Sequence, residues 1–410
     1  MRAFKACVLL LPLLLLLLAP DAAAAPGLAT SPLIAVGAGA HPHAAVLADG
    51  GFVVVWEAAP EHGPATPGTL HARLFDARGV AVSREIELLR PVGQALGGVA
   101  ALPTGFVVVW DQVNAHQGNG VFARRFDLTG APLGQPFKVH RNSPLPRCCG
   151  QVAAAPGGGF AVGWSAQTDT MSDSLVVLTR FFDAGHPLGP APPDPAPVPL
   201  EYGFGDILVA LSVDPSGVLN SIILDVADAA TLLWSRKALD PDADFAPDYD
   251  IAASFAPDGD FVLARASGEA FFDWTFPSAI VARRFSGNDG SPLGAVVQLS
   301  RRTGWEVQPA VAALPDGRFV AVWNEVASRQ FLGTLFVRAF NGDGTPATRE
   351  RFLGAGFSAA EGQAALAAAP DGTVVAVWQD GGRVTARLLR PPGAATSRPV
   401  SERGDPSAAD

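Results

Sequence analysis

The side chains best suited to chemistry sit in two short stretches, His41-Pro42-His43 and Cys148-Cys149. On an extended strand, residues two apart share a face, so His41 and His43 would present two imidazoles together. A zinc site takes at least three protein ligands, and the sequence fixes no third beside them. The Cα atoms of adjacent cysteines lie about 3.8 Å apart, below the usual ~4.4–6.8 Å of a disulfide. A bridge between Cys148 and Cys149 would be strained and redox-labile. Two reduced thiols are the alternative. The run "DPDADFAPDYD" (Asp240–Asp250) carries five carboxylates, but its prolines suit a solvated loop. Asp316-Gly317, Asp371-Gly372 and "NGDGT" (Asn341–Thr345) look like fragments of calcium loops. A calcium site needs several oxygens converging on one point. Two-residue turns satisfy their own backbone instead, so tight hairpins are expected there.

Arginine recurs at Arg73, Arg124, Arg180, Arg236, Arg283, Arg338 and Arg387, and Phe75, Phe126, Phe182, Phe285 and Phe340 follow two residues after five of them. Such a set could suggest an anion-binding ring. The expectation is structural: each Arg lies over its aromatic neighbour and bonds a nearby carbonyl or carboxylate, with Glu57 and Asp111 as candidate partners. The chain has no G-x-S-x-G, no H-E-x-x-H, no sialidase-type Asp-box and no phosphate-binding glycine loop. No catalytic residue, cofactor or metal is therefore assigned.

These residues are positioned by a repeat. "GFVVVWEA" from Gly51 recurs as "GFVVVWDQ" from Gly105, "GFAVGWSA" from Gly159, "RFVAVWNE" from Arg318 and "TVVAVWQD" from Thr373. The Trp position is filled by Trp56, Trp110, Trp164, Ile222, Arg265, Trp323 and Trp378, at spacings of 54, 54, 58, 43, 58 and 55 residues. A period near 50 points to a propeller or a solenoid. Each unit reads as four strands. The first is small and apolar, as in "AVAALPDG" (Ala310–Gly317), and ends in a Pro-Asp-Gly turn. The Trp strand follows; it is apolar at consecutive positions, so both its faces must be buried. The third is typified by "VFARRFD" (Val121–Asp127), and the fourth follows a glycine turn, as in "GAPLGQPFKVH" (Gly130–His140). Seven such units predict an all-β fold, a seven-bladed β-propeller of four-stranded antiparallel blades. Ser31–Gly37 is expected to complete the last blade and close the ring. Blade four is the weakest copy.

Repeats of the form "GFVVVW…VFARRFD…G-PLG" resemble those of secreted bacterial β-propeller repeat proteins, over most of residues 31–400. That resemblance implies a propeller at an exported location and carries over no catalytic residue. Arg2, Lys5, the apolar run Val8–Ala19 and "DAAAA" (Asp21–Ala25) read as a signal peptide over residues 1–25. The propeller would then occupy 26–400 and a polar tail 401–410. No other run approaches the ~20 apolar residues of a membrane span. The formal net charge is −10 with no basic run, which argues against nucleic acid as a partner. A secreted or periplasmic monomer is expected.

Turns one-to-two and three-to-four are short and share one end of the propeller, whereas the longer, more varied connections share the other. Binding usually occupies variable loops on a rigid scaffold. The long-loop face is expected to carry Glu61, His62, Asn114, His116, Arg141, Arg147, Arg302, Trp305 and Glu306, with Trp305 as an exposed anchor. Registering the innermost strands places His41, Leu96, Cys149, Ile207, Asp250, Gln308 and Gln363 in one slot at the channel mouth. His41, Cys149, Asp250, Trp305, Gln308 and Gln363 are thus the candidate ligand-binding residues. Three functions compete: a noncatalytic propeller presenting this face to a protein or glycan, an extracellular polysaccharide hydrolase or lyase with its site at the channel mouth, and a structural cell-envelope segment. Convergent acids with Arg or His at the mouth would favour the second.

Overall fold

The computed structural model describes residues 27–58, 69–89, 94–112, 120–140, 147–167, 175–183, 186–187, 207–213, 219–225, 231–234, 237–238, 251–267, 279–300, 305–326, 332–358 and 364–394. Within them the chain is all-β, with a single 3-10 turn at Pro156–Gly158 as the only helical element. None of its helices is long and apolar enough to cross a membrane. The expected signal peptide and C-terminal tail lie outside the described residues.

Five sheets are four-stranded and antiparallel, each built from consecutive strands. A longer sheet joins the first and last units through the strand Ile34–Val46. The start of that strand pairs with Arg383–Arg390 (Ile34↔Ala386, Ala38↔Arg383), and its end pairs with Phe52–Ala58 (Val46↔Phe52). Ser31 adds two bonds, Ser31 N to the Leu388 carbonyl and Leu388 N to Ser31 Oγ. The expected pairing of the N-terminal segment with the last unit is therefore present. A second short strand, Ala29–Thr30, pairs with Arg390 and Leu389 beyond it.

Numbering the units one to seven along the chain, the inner strands run Ile34–Val46, Gln94–Leu102, Arg147–Ala154, Ile207–Val213, Ile251–Phe255, Trp305–Ala313 and Ala365–Ala368. Each touches the next, and Ala365–Ala368 touches Ile34–Val46. The consecutive apolar residues of the Trp strand make sense in this packing. Val53 and Val55 pack toward unit two, whereas Phe52, Val54 and Trp56 pack toward unit seven. Trp56, Trp110, Trp323 and Trp378 are fully buried. Phe52–Phe75, Phe106–Phe126, Phe160–Phe182, Phe261–Phe285 and Phe319–Phe340 stack at 4.9–5.2 Å at the opposite end.

The repeated arginine ties neighbouring units. Arg73, Arg124, Arg180 and Arg338 lie 5.3–5.7 Å from the centroids of Phe75, Phe126, Phe182 and Phe340. Their guanidinium groups donate to carbonyls at the outer edge of the preceding unit: Arg73 to Val36, Arg124 to Leu88, Arg180 to Val139 and Arg338 to Leu299. Carbonyls, rather than Glu57 and Asp111, are thus the partners these contacts record. The Asp-Gly stretches are hairpins. The Asp carboxylates accept from backbone N–H groups two residues on, as Asp316 does from Arg318 and Asp371 from Thr373. Gly317 and Gly372 take φ near +80°, which L side chains avoid.

Candidate functional site

The inner strands are irregular at the slot singled out in the sequence. In unit one the register jumps between Ala40↔Glu57 and His43↔Val55; in unit three, between Cys148↔Ser165 and Gln151↔Gly163; in unit six, between Val307↔Asn324 and Ala310↔Val322. His41-Pro42, Cys149-Gly150 and Gln308-Pro309 fall in these bulges. His41 and Gln308 take left-handed backbone conformations, φ 49° and 53°, and they are the only non-glycine residues to do so among the described residues. Such bulges re-aim side chains and cluster near functional sites. Because His41 leaves the ladder, regular alternation does not set it on a face with His43. Among the described residues no three His, Cys, Asp or Glu side chains group to hold a metal.

His41 is exposed, and its Nδ1 lies 3.1 Å from Glu57 Oε2. The other Glu57 oxygen accepts from the backbone N–H of Leu96 in unit two at 2.8 Å. Burial works to raise the pKa of Glu57, but the bonds from His41 and Leu96 outweigh it and hold the carboxyl below its ordinary value. Desolvation drives His43 down to about 4, so its imidazole is neutral at pH 7. Asp111 repeats half of this arrangement and accepts from Gly150 N in unit three at 3.2 Å.

Unit six differs. Glu306 is fully buried and pairs across the ladder with Glu325. Its carboxylate contacts Ser300 Oγ of unit five, which also accepts from Ile280 N at 3.3 Å. Burial pushes the Glu306 pKa to about 7, and the nearby Glu350 and Glu325 add to the rise. Asn324, which follows Trp323 as Glu57 follows Trp56, is also fully buried.

His41 and Gln308 occupy equivalent bulges, as the sequence predicts. Cys149 falls in the irregular step of unit three; its side chain lies outside the described residues. Ile207 does not share the slot. It pairs with Leu224, two residues past the Trp position; Ile222, at the Trp position, pairs with Ala210, and the irregular step falls at Val209. Unit four lacks the proline or glycine that follows the slot in units one, two, three and six, so counting by spacing slipped. Trp305 pairs with Val326 at the start of its strand. Its side chain lies outside the described residues, as do Asp250, Gln363, Glu61, His62, Asn114, His116, Arg141 and Arg302. Glu306, expected on the exposed face, is instead interior. The same apolar alternation that buries Val311 and Ala313 extends past the bulge to its side chain. Asn324 and Ser300 escaped sequence reasoning because a lone polar residue at a strand end carries no motif.

No protein-family model and no curated protein matches the chain. Among solved structures it is similar to a protein of unknown function from Dyadobacter fermentans, at 13% identity and a TM-score of 0.48 over 89% of this chain and 100% of that one. It is similar to a Penicillium chrysogenum alpha-L-arabinanase at 12% identity and a TM-score of 0.42, over 88% and 98%. A Hadza microbial sialidase aligns at 12% identity and a TM-score of 0.46, over 81% and 75%.

Proposed function

We propose that the chain is an exported, noncatalytic seven-bladed β-propeller that presents its long-loop face to a glycan or protein partner. The cyclic succession of inner-strand contacts supports the ring, with the N-terminal segment as its closing strand. The resemblance to secreted bacterial propeller repeats supports export.

One observation carries the binding assignment. His41 and Gln308 hold left-handed backbone at the same bulge of two different units. A non-glycine residue there costs about 1–2 kcal/mol, and such strain tends to persist where side-chain aim matters. Both side chains hydrogen-bond without carrying an obligatory charge, which suits a polar partner. A hydrolase reading has the Glu306–Glu325 pair in its favour. Against it, Glu306 is wholly interior and tied to Ser300, where a polymer cannot reach it.

The test is binding of residues 26–410 to glycan and protein arrays, repeated with variants. His41→Ala and Gln308→Ala should weaken binding. Trp305→Ala should weaken it by about 2 kcal/mol with little change in Tm. Charge reversals at Asp316 and Asp371, in the short turns, should leave it intact. Loss with the reversals and none with the other three would place the partner on the opposite face.

A further inference from the structure

At the bulge of unit one, His41 and Glu57 meet, Nδ1 to Oε2, at 3.1 Å. The second carboxylate oxygen accepts from Leu96 N of unit two at 2.8 Å. The carboxyl is held below its ordinary pKa, so Glu57 is ionised at pH 7 and can only accept. The proton in its bond with His41 must therefore sit on Nδ1. A neutral imidazole carries one N–H, so His41 Nε2 keeps its lone pair and is an acceptor. The His41 side chain is 48% exposed, which brings that acceptor to the surface beside the bulge. His43, the other imidazole near Glu57, is neutral at pH 7 and adds no charge to the pair.

The tie between units does not need the imidazole. Ala40↔Glu57 and Ala95↔Asp111 are equivalent pairs. Asp111 makes the same kind of bond, accepting from Gly150 N of unit three at 3.2 Å, with Leu96 in the place of His41. Leu96 also lacks the left-handed backbone that His41 holds at φ 49°. In unit one the imidazole and its strained backbone are thus added to a tie that unit two makes without them. The pair His71 Nδ1 and Glu85 Oε1, at 2.5 Å, is of another kind. His71 is only 19% exposed, lies 5.9 Å from the Trp56 ring and sits in regular strand opposite Trp56, so packing accounts for it.

The lone pair on Nε2 sets the chemistry of what can meet it. An anionic oxygen brings no proton, and the Glu57 charge behind the ring repels it. A cation gains little, because both carboxylate oxygens already accept an N–H and the exposed ring offers only a neutral nitrogen. A hydroxyl gives its proton to Nε2 without carrying a charge into the site. We propose that His41 Nε2 is the hydrogen-bond acceptor of a subsite for an uncharged saccharide hydroxyl, and that Glu57 is the positioning residue that holds this tautomer. This rests on the reading that the long-loop face binds a ligand, and it selects a neutral glycan over a charged one or a protein.

Glu57→Gln is the decisive variant. Its amide must accept from Leu96 N through Oε1, which turns the NH2 group toward His41 Nδ1. Nδ1 must then accept, and the ring proton moves to Nε2. Imidazole nitrogen NMR on residues 26–410, at a pH where the rings are neutral, reads the tautomer directly. His41→Ala identifies the signal by removing it, and His71 is the internal control. Wild type should hold the proton on Nδ1 and Glu57→Gln on Nε2.

Neutral, amino and anionic oligosaccharides are then titrated, followed by the mono-O-methyl ethers of the strongest neutral binder. Methylation removes the proton of a hydroxyl but keeps its oxygen as an acceptor. One ether should bind wild type about tenfold or more weakly than the parent sugar. Glu57→Gln should lose most of that penalty, because Nε2–H can donate to the ether oxygen while the bulk of the methyl is common to both proteins. The subsite is overturned by an Nε2–H tautomer in wild type, by no switch in Glu57→Gln, by equal methylation penalties in the two proteins, or by a preference for amino or anionic sugars. It is also overturned if no neutral oligosaccharide binds. If His41→Ala and Gln308→Ala abolish binding while the methylation penalties are equal, the face stands and the subsite falls. If neither alanine variant affects binding, the face itself is wrong, whichever tautomer is found.

Discussion

Units one and six share a Trp strand, an inner-strand bulge and a left-handed residue before proline, yet they differ in the next row of side chains. In unit one the residue after Trp56 is Glu57, charged, half-buried and bonded to His41 and to Leu96 of the following unit. In unit six it is Asn324, neutral, fully buried and without such a tie. The buried acid of unit six lies instead across the ladder, on Glu306, facing the preceding unit through Ser300. The repeat therefore fixes the hydrocarbon frame, while the polar row beside the bulges varies from seam to seam. Individual character belongs to that row.

The shared frame gives the largest expected effect. Trp110→Ala in unit two and Trp323→Ala in unit six should each cost roughly 3–5 kcal/mol, because both rings are fully buried. Urea melts measure this directly. A loss below ~1 kcal/mol at either site would mean the units are not equivalent at their core.

Glu306 comes next. Its folded pKa, about 7, lies above its ordinary value of 4.5. Between those values the folded chain keeps a proton that the unfolded chain has released. Stability should therefore fall as pH rises from about 4.5, with the loss complete above about 7. Full ionisation corresponds to a loss on the order of 3 kcal/mol. Glu306→Gln should flatten this part of the stability–pH curve, read from melts at pH 5 and pH 8. If wild type and variant lose stability in parallel over that range, the carboxyl is not the titrating group.

The polar row supplies a sharper contrast of intermediate size. Glu57→Ala should destabilise by about 1.5–3 kcal/mol, since it strips a charged acceptor from the Leu96 N–H. Asn324→Leu should be neutral or stabilising. The reverse order in chemical denaturation would erase the difference between the two units.

Much of the frame was legible in the sequence because it repeats. The position of Trp56, Trp110, Trp164, Trp323 and Trp378 marks one strand in five of the units, Arg73 and Phe75 share a face as period two requires, and Asp316-Gly317 is a hairpin. The N-terminal pairing partner followed from counting strands. The slot was legible where proline or glycine follows it, at His41-Pro42, Leu96-Gly97, Cys149-Gly150 and Gln308-Pro309. Where that mark is missing, in unit four, the slot moved from Ile207 to Val209. Glu306 was misread because composition places a glutamate outside, while only the ladder shows that this one continues an interior row. The partners of Glu57 were not legible either, since a bond from Glu57 to Leu96 N crosses between units and leaves no spacing signal.

The smallest effect isolates the bulges from everything else. At Gln308, alanine and glycine both delete the amide, so lost side-chain bonds cancel between the two variants. What remains is backbone preference. In ordinary extended or helical backbone, glycine is the less stable by about 0.5–1 kcal/mol through its extra unfolded-state freedom. At φ 53° the alanine Cβ is strained and glycine is not, so the order should invert. Gln308→Gly should exceed Gln308→Ala by about 0.5–1 kcal/mol, and the same inversion should appear at His41, where φ is 49°. Leu96 fills the equivalent place in unit two without left-handed backbone, so there alanine should remain the more stable. Paired melts of the six variants decide it. Inversion at 41 and 308 but not at 96 would show that two units hold strained backbone that a third does without. The same order at all three positions would remove the strain, and with it the observation on which the binding face rests.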